Sequence, residues 1–313
     1  MNALLHVDFA DPHRARATQL RQDHPEVRAL QGPTAWTAPL SLGLVVAQLA
    51  LAWWVSSLPW WAAPLLAFGL GAFLSQALYA VLHECTHLLA GRGRRFNRAL
   101  SLLANVPLLV PIAISYAHFH LMHHAHQGDP ARDPDLPGAA EHGLARRGVL
   151  GKLAWHVSFP FWQLLRTASM PQPRAWGWLA LNVALQLGAT VLLTWVLGWQ
   201  ALLYLALSLY FTLALHPIAA RLFQEHHVVH AQQETYSYYG WLNWISLNIG
   251  YHNEHHDFPA VPWTRLPVLR RLGRELYDEQ LVSHDSWARL WWRFMRDPAL
   301  GPLSRVVRER ASR

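Results

Sequence analysis

The sequence has little charge and a single cysteine. Asp, Glu, Lys and Arg make up 14% of the 313 residues, and hydrophobic residues make up 52%. A soluble domain usually carries about a quarter charged residues, so the balance favours a membrane protein. Because Cys85 is the only cysteine, no intramolecular disulfide can form, and the redox compartment is not indicated. The N-terminal segment lacks the basic start and long apolar run of a signal peptide. Membrane insertion is therefore expected to depend on the first spanning helix.

Lysine is almost absent as well, and Lys152 is the single example. The net charge of +7 therefore comes from arginine. A basic surface can bind nucleic acid, but these arginines flank apolar stretches, where basic residues more often set membrane topology. We therefore expect no nucleic-acid partner.

Four apolar stretches are long enough to cross a membrane, which takes about 17–25 residues. They cover residues 38–55, 60–82, 176–197 and 200–218. Only short breaks separate the first from the second and the third from the fourth, so the pattern predicts two helical hairpins. Tryptophans cluster near both turns, as is typical of a membrane interface: Trp53, Trp54, Trp60, Trp61, Trp195 and Trp199.

Both hairpin turns are uncharged, and basic residues lie beyond the opposite ends of the spans. They are Arg92, Arg94, Arg95, Arg98, Arg146, Arg147, Lys152, Arg265, Arg270, Arg271 and Arg274. The positive-inside rule then places these segments and both chain ends in the cytoplasm. We expect a bacterial inner membrane in preference to an endoplasmic reticulum.

A fifth apolar stretch, residues 99–114, is short and contains Pro107 and Pro111. It predicts an interfacial or re-entrant segment instead of a span. The expected fold is an all-α integral membrane domain with four transmembrane helices, interfacial helices and a cytoplasmic cap. This single domain, residues 1–313, divides into a leader (1–36), a first hairpin (37–82), a cytoplasmic and interfacial region (83–175), a second hairpin (176–218) and the cap (219–313).

Three histidine clusters lie in or beside these apolar stretches. They are His83 and His87 in HECTH, His120, His123 and His124 in HLMHH, and His252, His255 and His256 in HNEHH. In a helix, residues i and i+4 share a face, so each cluster can direct several imidazoles at one point. Two spans separate the second cluster from the third, so all three are expected on the same side of the membrane. Eight histidines are too many for one metal ion and about right for two.

Imidazole is a common ligand of iron, zinc and copper. Two irons held mainly by histidine can activate O₂ and remove hydrogen from an unactivated carbon, such as one in a lipid acyl chain. Nearby acids are expected to orient the ligands by accepting their outer N–H groups: Glu84, Glu225, Glu254, Asp133, Asp135 and Asp257. The acidic loop around Asp133 and Asp135 has a simpler interpretation as solvated surface.

Two other functions fit parts of this pattern. HECTH matches the HExxH signature of zinc proteases, but such an enzyme would not need the other six histidines. A non-enzymatic protein that handles metal or haem is the more distant alternative. It predicts one metal or haem per chain and no consumption of O₂.

With these motifs, the chain resembles the membrane fatty acid desaturase superfamily, and within it the sphingolipid Δ4-desaturases, or dihydroceramide desaturases. The most specific stretch is ETYSYYGWLNWISLNIGYHNEHHDFP, residues 234–259. NVPLLVPIAISYAHFHLMHH, LALHPIAARLFQEH and DSWARLWWRFMRDPALGPLSR also match, so the resemblance covers nearly the whole chain.

The resemblance implies a di-iron enzyme whose ligands are the eight clustered histidines and His226 in QEHH. It also implies O₂ as co-substrate and a long-chain lipid substrate, most closely the Δ4 position of a dihydroceramide-type sphingolipid. The alternatives are an acyl-lipid desaturase and a C4-hydroxylase acting on another long-chain lipid. Because no haem, flavin or iron–sulfur motif is present, electrons are expected from a separate cytochrome b5 or ferredoxin.

Overall fold

The computed structural model describes residues 4–230 and 233–308, and within them the chain is mainly helical. A short strand, β1, and the helix α1 precede the first span. The elements up to the second histidine cluster are β1 (Leu5–Val7), α1 (Pro12–Asp23), α2 (Thr37–Ser56), α3 (Ala62–Leu66), α4 (Ala72–Thr86), α5 (Arg94–Asn105) and α6 (Ala113–His126).

The second half of the chain continues in the same way. Its elements are α7 (Ala139–Ala145), α8 (Gly148–Val157), α9 (Phe159–Ala168), α10 (Trp176–Leu197), α11 (Trp199–Leu213), α12 (Arg221–His226), β2 (Ser237–Tyr238), α13 (Leu242–Ile245), α14 (His252–Asp257), α15 (Leu266–Leu272), α16 (Arg274–Tyr277), β3 (Ser283–His284), α17 (Trp287–Arg296) and β4 (Val306–Arg308).

Four helices are long and apolar enough to cross a membrane, in agreement with the four predicted stretches. They cover Thr37–Ser56, Ala62–Thr86, Trp176–Leu197 and Trp199–His226. A π-helical turn, Ala67–Gly71, joins α3 to α4 within the second span. That span continues past the predicted boundary at residue 82 and so includes His83.

The fourth span differs from the prediction at its end. Helix α11 ends at Leu213, before Leu215 with a φ of 60° and Pro217 at the start of a 3₁₀ turn. Proline has no N–H to continue the helix and disfavours helical geometry in the residue before it. The regular helix is therefore interrupted after Leu213, and the span resumes through the 3₁₀ turn and α12 to its end at His226.

Polar side chains join the spans inside the apolar region. Gln48 on α2 donates to Ser75 on α4 at 3.1 Å and accepts from the Tyr204 hydroxyl on α11 at 3.1 Å. Gly71 lies against Ser208, and a Cβ at Gly71 would overlap the serine side chain. Small residues and interhelical hydrogen bonds are typical of packing between membrane helices, and here they hold three spans at close range.

The apolar stretch at residues 99–114 does not form a straight helix. The segments Arg94–Leu108 and Ala113–His126 meet at an angle of 112°, which fits a re-entrant segment or a broken span. Asn105 supports the bend, because its side-chain oxygen accepts from the N–H groups of Ile112 and Ala113 and its amide donates to the Val110 carbonyl. This turn directs α6, with the second histidine cluster, back toward α4.

The remaining helices cover the end of the spans where the histidines gather. Helix α14 carries the third cluster, and α17 packs through Trp287 and Phe294 onto the segment after α11. The two ends of the described chain meet here, since β1 pairs in parallel with β4 and Leu5 aligns with Val306.

Candidate metal centre

Each histidine cluster lies on or directly beside a helix. His83 lies in the last turn of α4, with His87 just after its end, and α6 and α14 carry the second and third clusters. His226 ends α12. The structure gathers these nine histidines, predicted from different segments of the chain, into two adjoining groups.

The first group contains five histidines whose ligand atoms all lie within 4.8 Å of one another: His83, His87, His120, His124 and His255. Their Nε2 atoms follow one another at hydrogen-bond distance. The separations are 3.0 Å for His83–His255, 3.1 Å for His255–His124, 3.1 Å for His124–His120 and 2.9 Å for His120–His87.

These separations suit ligands around a cation. Bonds of about 2.1 Å from a metal to histidine nitrogen place neighbouring nitrogens about 3.0 Å apart in an octahedron and about 3.4 Å apart in a tetrahedron. The observed 2.9–3.1 Å spacing matches the octahedral value. Five nitrogen donors at this spacing fit iron better than a tetrahedral structural zinc.

The second group contains His123, His226 and His256, with ligand atoms within 4.8 Å of one another. His252 joins it, because both His252 Nε2 and His123 Nε2 lie 3.0 Å from His226 Nε2. His256 Nε2 is buried and has no hydrogen-bond partner. A buried ring nitrogen without a partner is costly, and a metal ion shared with the other three would satisfy it. The donor set therefore fits a second metal.

Burial keeps the imidazoles of the third cluster in the neutral form that can bind a metal. Desolvation, with smaller contributions from neighbouring imidazoles, lowers the pKa of His252, His255 and His256 well below the ordinary value. These rings are therefore neutral at pH 7 and keep a lone pair, the form in which histidine binds metals.

Three of the six predicted acids lie near ligands. Asp133 Oδ1 is 2.9 Å from His123 Nδ1, Asp135 Oδ2 is 3.6 Å from the same nitrogen, and Glu225 Oε1 is 4.0 Å from His252 Nδ1. Burial acts to raise the pKa of Asp133, but the imidazole of His123 outweighs it and holds that pKa below the ordinary value. Asp133 can therefore keep a charged acceptor on the outer nitrogen of His123.

The other three acids have different partners. Glu84 accepts from the Trp263 backbone N–H at 3.3 Å, and Glu254 accepts from the hydroxyls of Ser237 and Tyr239 at 2.6 and 2.7 Å. Asp257 lies 2.6 Å from His13 Nδ1. Direct contact with a ligand histidine is therefore seen for Asp133, whereas Glu84, Glu254 and Asp257 hold the surrounding structure.

Sequence reasoning missed His13, which arrives from α1. Its Nε2 lies 3.0 Å from Thr235 Oγ1, which lies 3.3 Å from His226 Nδ1, so contacts run from Asp257 through His13 and Thr235 to the second histidine group. No spacing in the sequence connects a residue of the leader to the cap.

Other histidines have structural surroundings. His216 Nδ1 accepts from the Ile218 N–H at 3.1 Å, and its ring packs against Phe68 and Phe73. His118 Nε2 lies 2.7 Å from the Pro171 carbonyl oxygen, outside both groups.

A cavity of about 820 Å³ opens onto both groups. The bend before α6, α6 itself, α9 and the span helix α11 give it an apolar wall that includes Val110, Ile112, Phe119, Phe159, Leu209 and Leu213. Near the histidines the wall is polar and includes Tyr79, Tyr116, Asp135, Arg221, Glu225 and Arg305. His83, His120, His123, His226 and His252 line it directly. The volume lies within the usual range of about 300–1,000 Å³ for ligand sites and suits an elongated amphipathic molecule.

Four candidate spans, two histidine groups that could hold metal ions and an adjoining amphipathic cavity are the features of a membrane enzyme that acts on lipid. The profile of the family described as "Fatty acid desaturase" matches residues 58–288. The chain belongs to the fatty acid desaturase family and is an oxidoreductase.

Several similar proteins align with almost the whole chain. The sphingolipid delta(4)-desaturase DES1 of Drosophila melanogaster is 36% identical over 95% of this chain and 93% of its own length. The DES1-like sphingolipid delta(4)-desaturase of Oryza sativa subsp. japonica is 35% identical, over 96% and 90%. The human sphingolipid delta(4)-desaturase/C4-monooxygenase DES2 is 36% identical, over 95% and 92%. These relatives are eukaryotic, so they do not support the prediction of a bacterial inner membrane.

Proposed function

We propose that this chain introduces a double bond at the Δ4 position of a dihydroceramide-type sphingolipid. The sphingolipid delta(4)-desaturase names of its relatives support this substrate. The observation that carries the proposal is the meeting of two histidine groups at the wall of one amphipathic cavity. A zinc protease would leave the second group without a role.

The residues proposed as ligands are the nine histidines of the two groups. His83, His87, His120, His124 and His255 would hold one iron, and His123, His226, His252 and His256 the other. Two irons bound there supply O₂ activation and hydrogen abstraction at an unactivated C–H bond. Asp133 would hold His123 with Nε2 directed at the metal, since a carboxylate on Nδ1 fixes that tautomer.

The balanced reaction consumes one O₂, two electrons and two protons. One hydrogen leaves each of two adjacent carbons, a trans C=C bond forms, and two molecules of water are released. The apolar wall of the cavity would hold the hydrocarbon chain away from water, and the buried histidines would lie beside the reacting carbons. Electrons would come from a cytochrome b5 or ferredoxin docked on the basic segments beyond the spans, which would lie in the cytoplasm by the positive-inside rule.

Lipid mass spectrometry on cells fed labelled dihydroceramide tests this function. We expect a product that is lighter by two hydrogens at C4–C5. His255→Ala should abolish the product while the protein remains in the membrane, whereas His118→Ala, a control on the helix of the second cluster, should retain it. No product from the unaltered protein, with iron and an electron donor present, would contradict the proposed substrate.

The C4-monooxygenase in the name of the human relative motivates a second candidate activity. Hydroxylation at C4 would use the same cavity and ligands and would give a product heavier by one oxygen. The same experiment measures both products, so their ratio follows directly.

A further inference from the structure

The polar wall of the cavity contains three arginines, and two of them have carboxylate partners. Arg166 forms an ion pair with Glu141, and Arg221 forms one with Glu225. Arg305 also lines the cavity, with 7% of its surface exposed. Its guanidinium makes no hydrogen bond or ion pair at contact distance with any residue in 4–230 or 233–308. Arg305 is therefore the unpartnered arginine of this wall.

The backbone around Arg305 is firmly held. The Leu5 N–H donates to the Arg305 carbonyl at 2.8 Å, at the start of the β1–β4 pairing. Val306 and Val307, which follow, are buried. The meeting of the two chain ends thus keeps the arginine against the cavity, next to Pro302 in the same wall.

A buried guanidinium without a hydrogen-bond acceptor is costly. Burial lowers the pKa of Arg305, although Asp133 and Asp135 partly oppose the effect. The side chain has five N–H donors and no acceptor, and it remains charged. A ligand that fills the cavity beside Arg305 would therefore be held best through an acceptor oxygen.

Asp135 supplies the complementary chemistry on the same wall. Its carboxylate is 38% exposed and lies 3.6 Å from His123 Nδ1. A guanidinium that only donates and a carboxylate that only accepts together suit groups that do both, such as a hydroxyl or a secondary amide. The head of an N-acyl sphingoid base carries both groups, whereas a simple fatty acyl ester offers acceptors and no donor.

We propose that Arg305 and Asp135 form the subsite for the polar head of the lipid. Arg305 donates to an acceptor oxygen of the amide or hydroxyl, and Asp135 accepts from the N–H or O–H group. This inference rests on the proposed function for the choice of lipid. Because Asp135 adjoins His123, a head held there places the next carbons of the chain beside the metal ligands. Arg305 is thus a residue that determines specificity.

Equilibrium binding without turnover tests the subsite. The iron-loaded protein is titrated anaerobically and without reductant with a short-chain dihydroceramide and with a fatty acyl methyl ester of equal chain length. Arg305→Gln should weaken dihydroceramide binding about tenfold or more, the usual effect of losing a hydrogen bond to a charged group. Binding of the ester should change much less. Arg305→Lys should restore part of the affinity, and Arg289→Gln, at an exposed arginine, should have no effect.

Turnover separates a binding role from a structural one. For Arg305→Gln we expect a raised KM for dihydroceramide and some oxidation at carbons other than C4 and C5, with the iron content unchanged; Asp135→Asn should raise KM and redirect oxidation in the same way. Equal loss of affinity for both lipids, or unchanged affinity for dihydroceramide, would overturn the subsite. If the unaltered protein desaturates only acyl esters, the proposed function fails. If it desaturates dihydroceramide and the variants show the same affinity and the same products as the unaltered protein, only the subsite fails.

Discussion

Replacing Asp133 with asparagine should weaken one metal site and spare the other. The Asp133 carboxylate accepts from the Gly128 N–H at 2.8 Å and the Asp135 N–H at 3.0 Å, and its Oδ1 lies 2.9 Å from His123 Nδ1. Asparagine is nearly the same size and keeps one acceptor oxygen, but it removes the charge. His123 loses its charged partner, and the Gly128 N–H or the His123 N–H also loses its acceptor oxygen. Of the two histidine groups, His123 belongs only to the second.

Loss of such an outer partner typically weakens metal binding by about 10–100-fold, which corresponds to about 1.4–2.7 kcal/mol. The value agrees with about 1.5–3 kcal/mol for a hydrogen bond to a charged group. The first group shares no ligand with the second, so its affinity should change little.

Iron content measured during anaerobic dialysis against increasing chelator gives the test. The unaltered protein should lose its irons over a narrow range, whereas Asp133→Asn should pass through a form with one iron per chain. Asp285→Asn, at an exposed carboxylate, is the matched control. Simultaneous loss of both irons from Asp133→Asn, or unchanged retention of both, would refute the assignment of His123 to a separate site.

Two predictions concern stability, and a third concerns the leader. Gly71→Val should lower the melting temperature in detergent, because a branched side chain would force Ser208 and its span away; Gly43→Val, where no atom lies near, should not. Phe294→Ala should destabilise the fold by about 3–5 kcal/mol, measured by denaturant unfolding, because Phe294 stacks on Phe223 at 4.0 Å. His13→Ala should reduce iron retention at the second group more than at the first, in the same chelator assay, since His13 reaches His226 through Thr235.

The sequence predicts the spans well because membrane insertion depends on local composition. About twenty apolar residues in succession suffice to identify a span, and the four predicted stretches correspond to the four candidate spans. The ends are harder to place, because apolar composition continues past the end of α11. There Pro217 and the conformation of Leu215 decide the turn.

The sequence predicts which histidines gather, but it does not predict which of the two groups each histidine joins. Helical spacing brings His83 near His87 and His120 near His124, yet His255 and His256 are neighbours in sequence and belong to different groups. Successive residues of a helix point about 100° apart. The division therefore depends on how α14 faces α4 and α6, which is a tertiary property.

Asp257 follows His256 directly and invites the interpretation that it orients that ligand. In the structure it contacts His13 and Arg16 from α1. Arg305 also depends on contacts distant in sequence, since β1 and β4 are three-residue strands from opposite ends of the chain. Strands this short carry no alternation that a sequence pattern could reveal.

The position of the polar wall bears on where along a lipid the reaction occurs. A polar wall beside the reacting carbons suits the polar head of a lipid, whereas the middle of an acyl chain offers no group that can pair with it. Here Asp135 lies 3.6 Å from one proposed ligand and Glu225 lies 4.0 Å from another, so polar groups adjoin the metal centre. The apolar wall extends from the same histidines toward the spans. A lipid bound with its polar head at the polar wall and its hydrocarbon chain at the apolar wall would have the carbons near its head beside the proposed metal ligands. This arrangement favours oxidation at C4 over the middle of a chain.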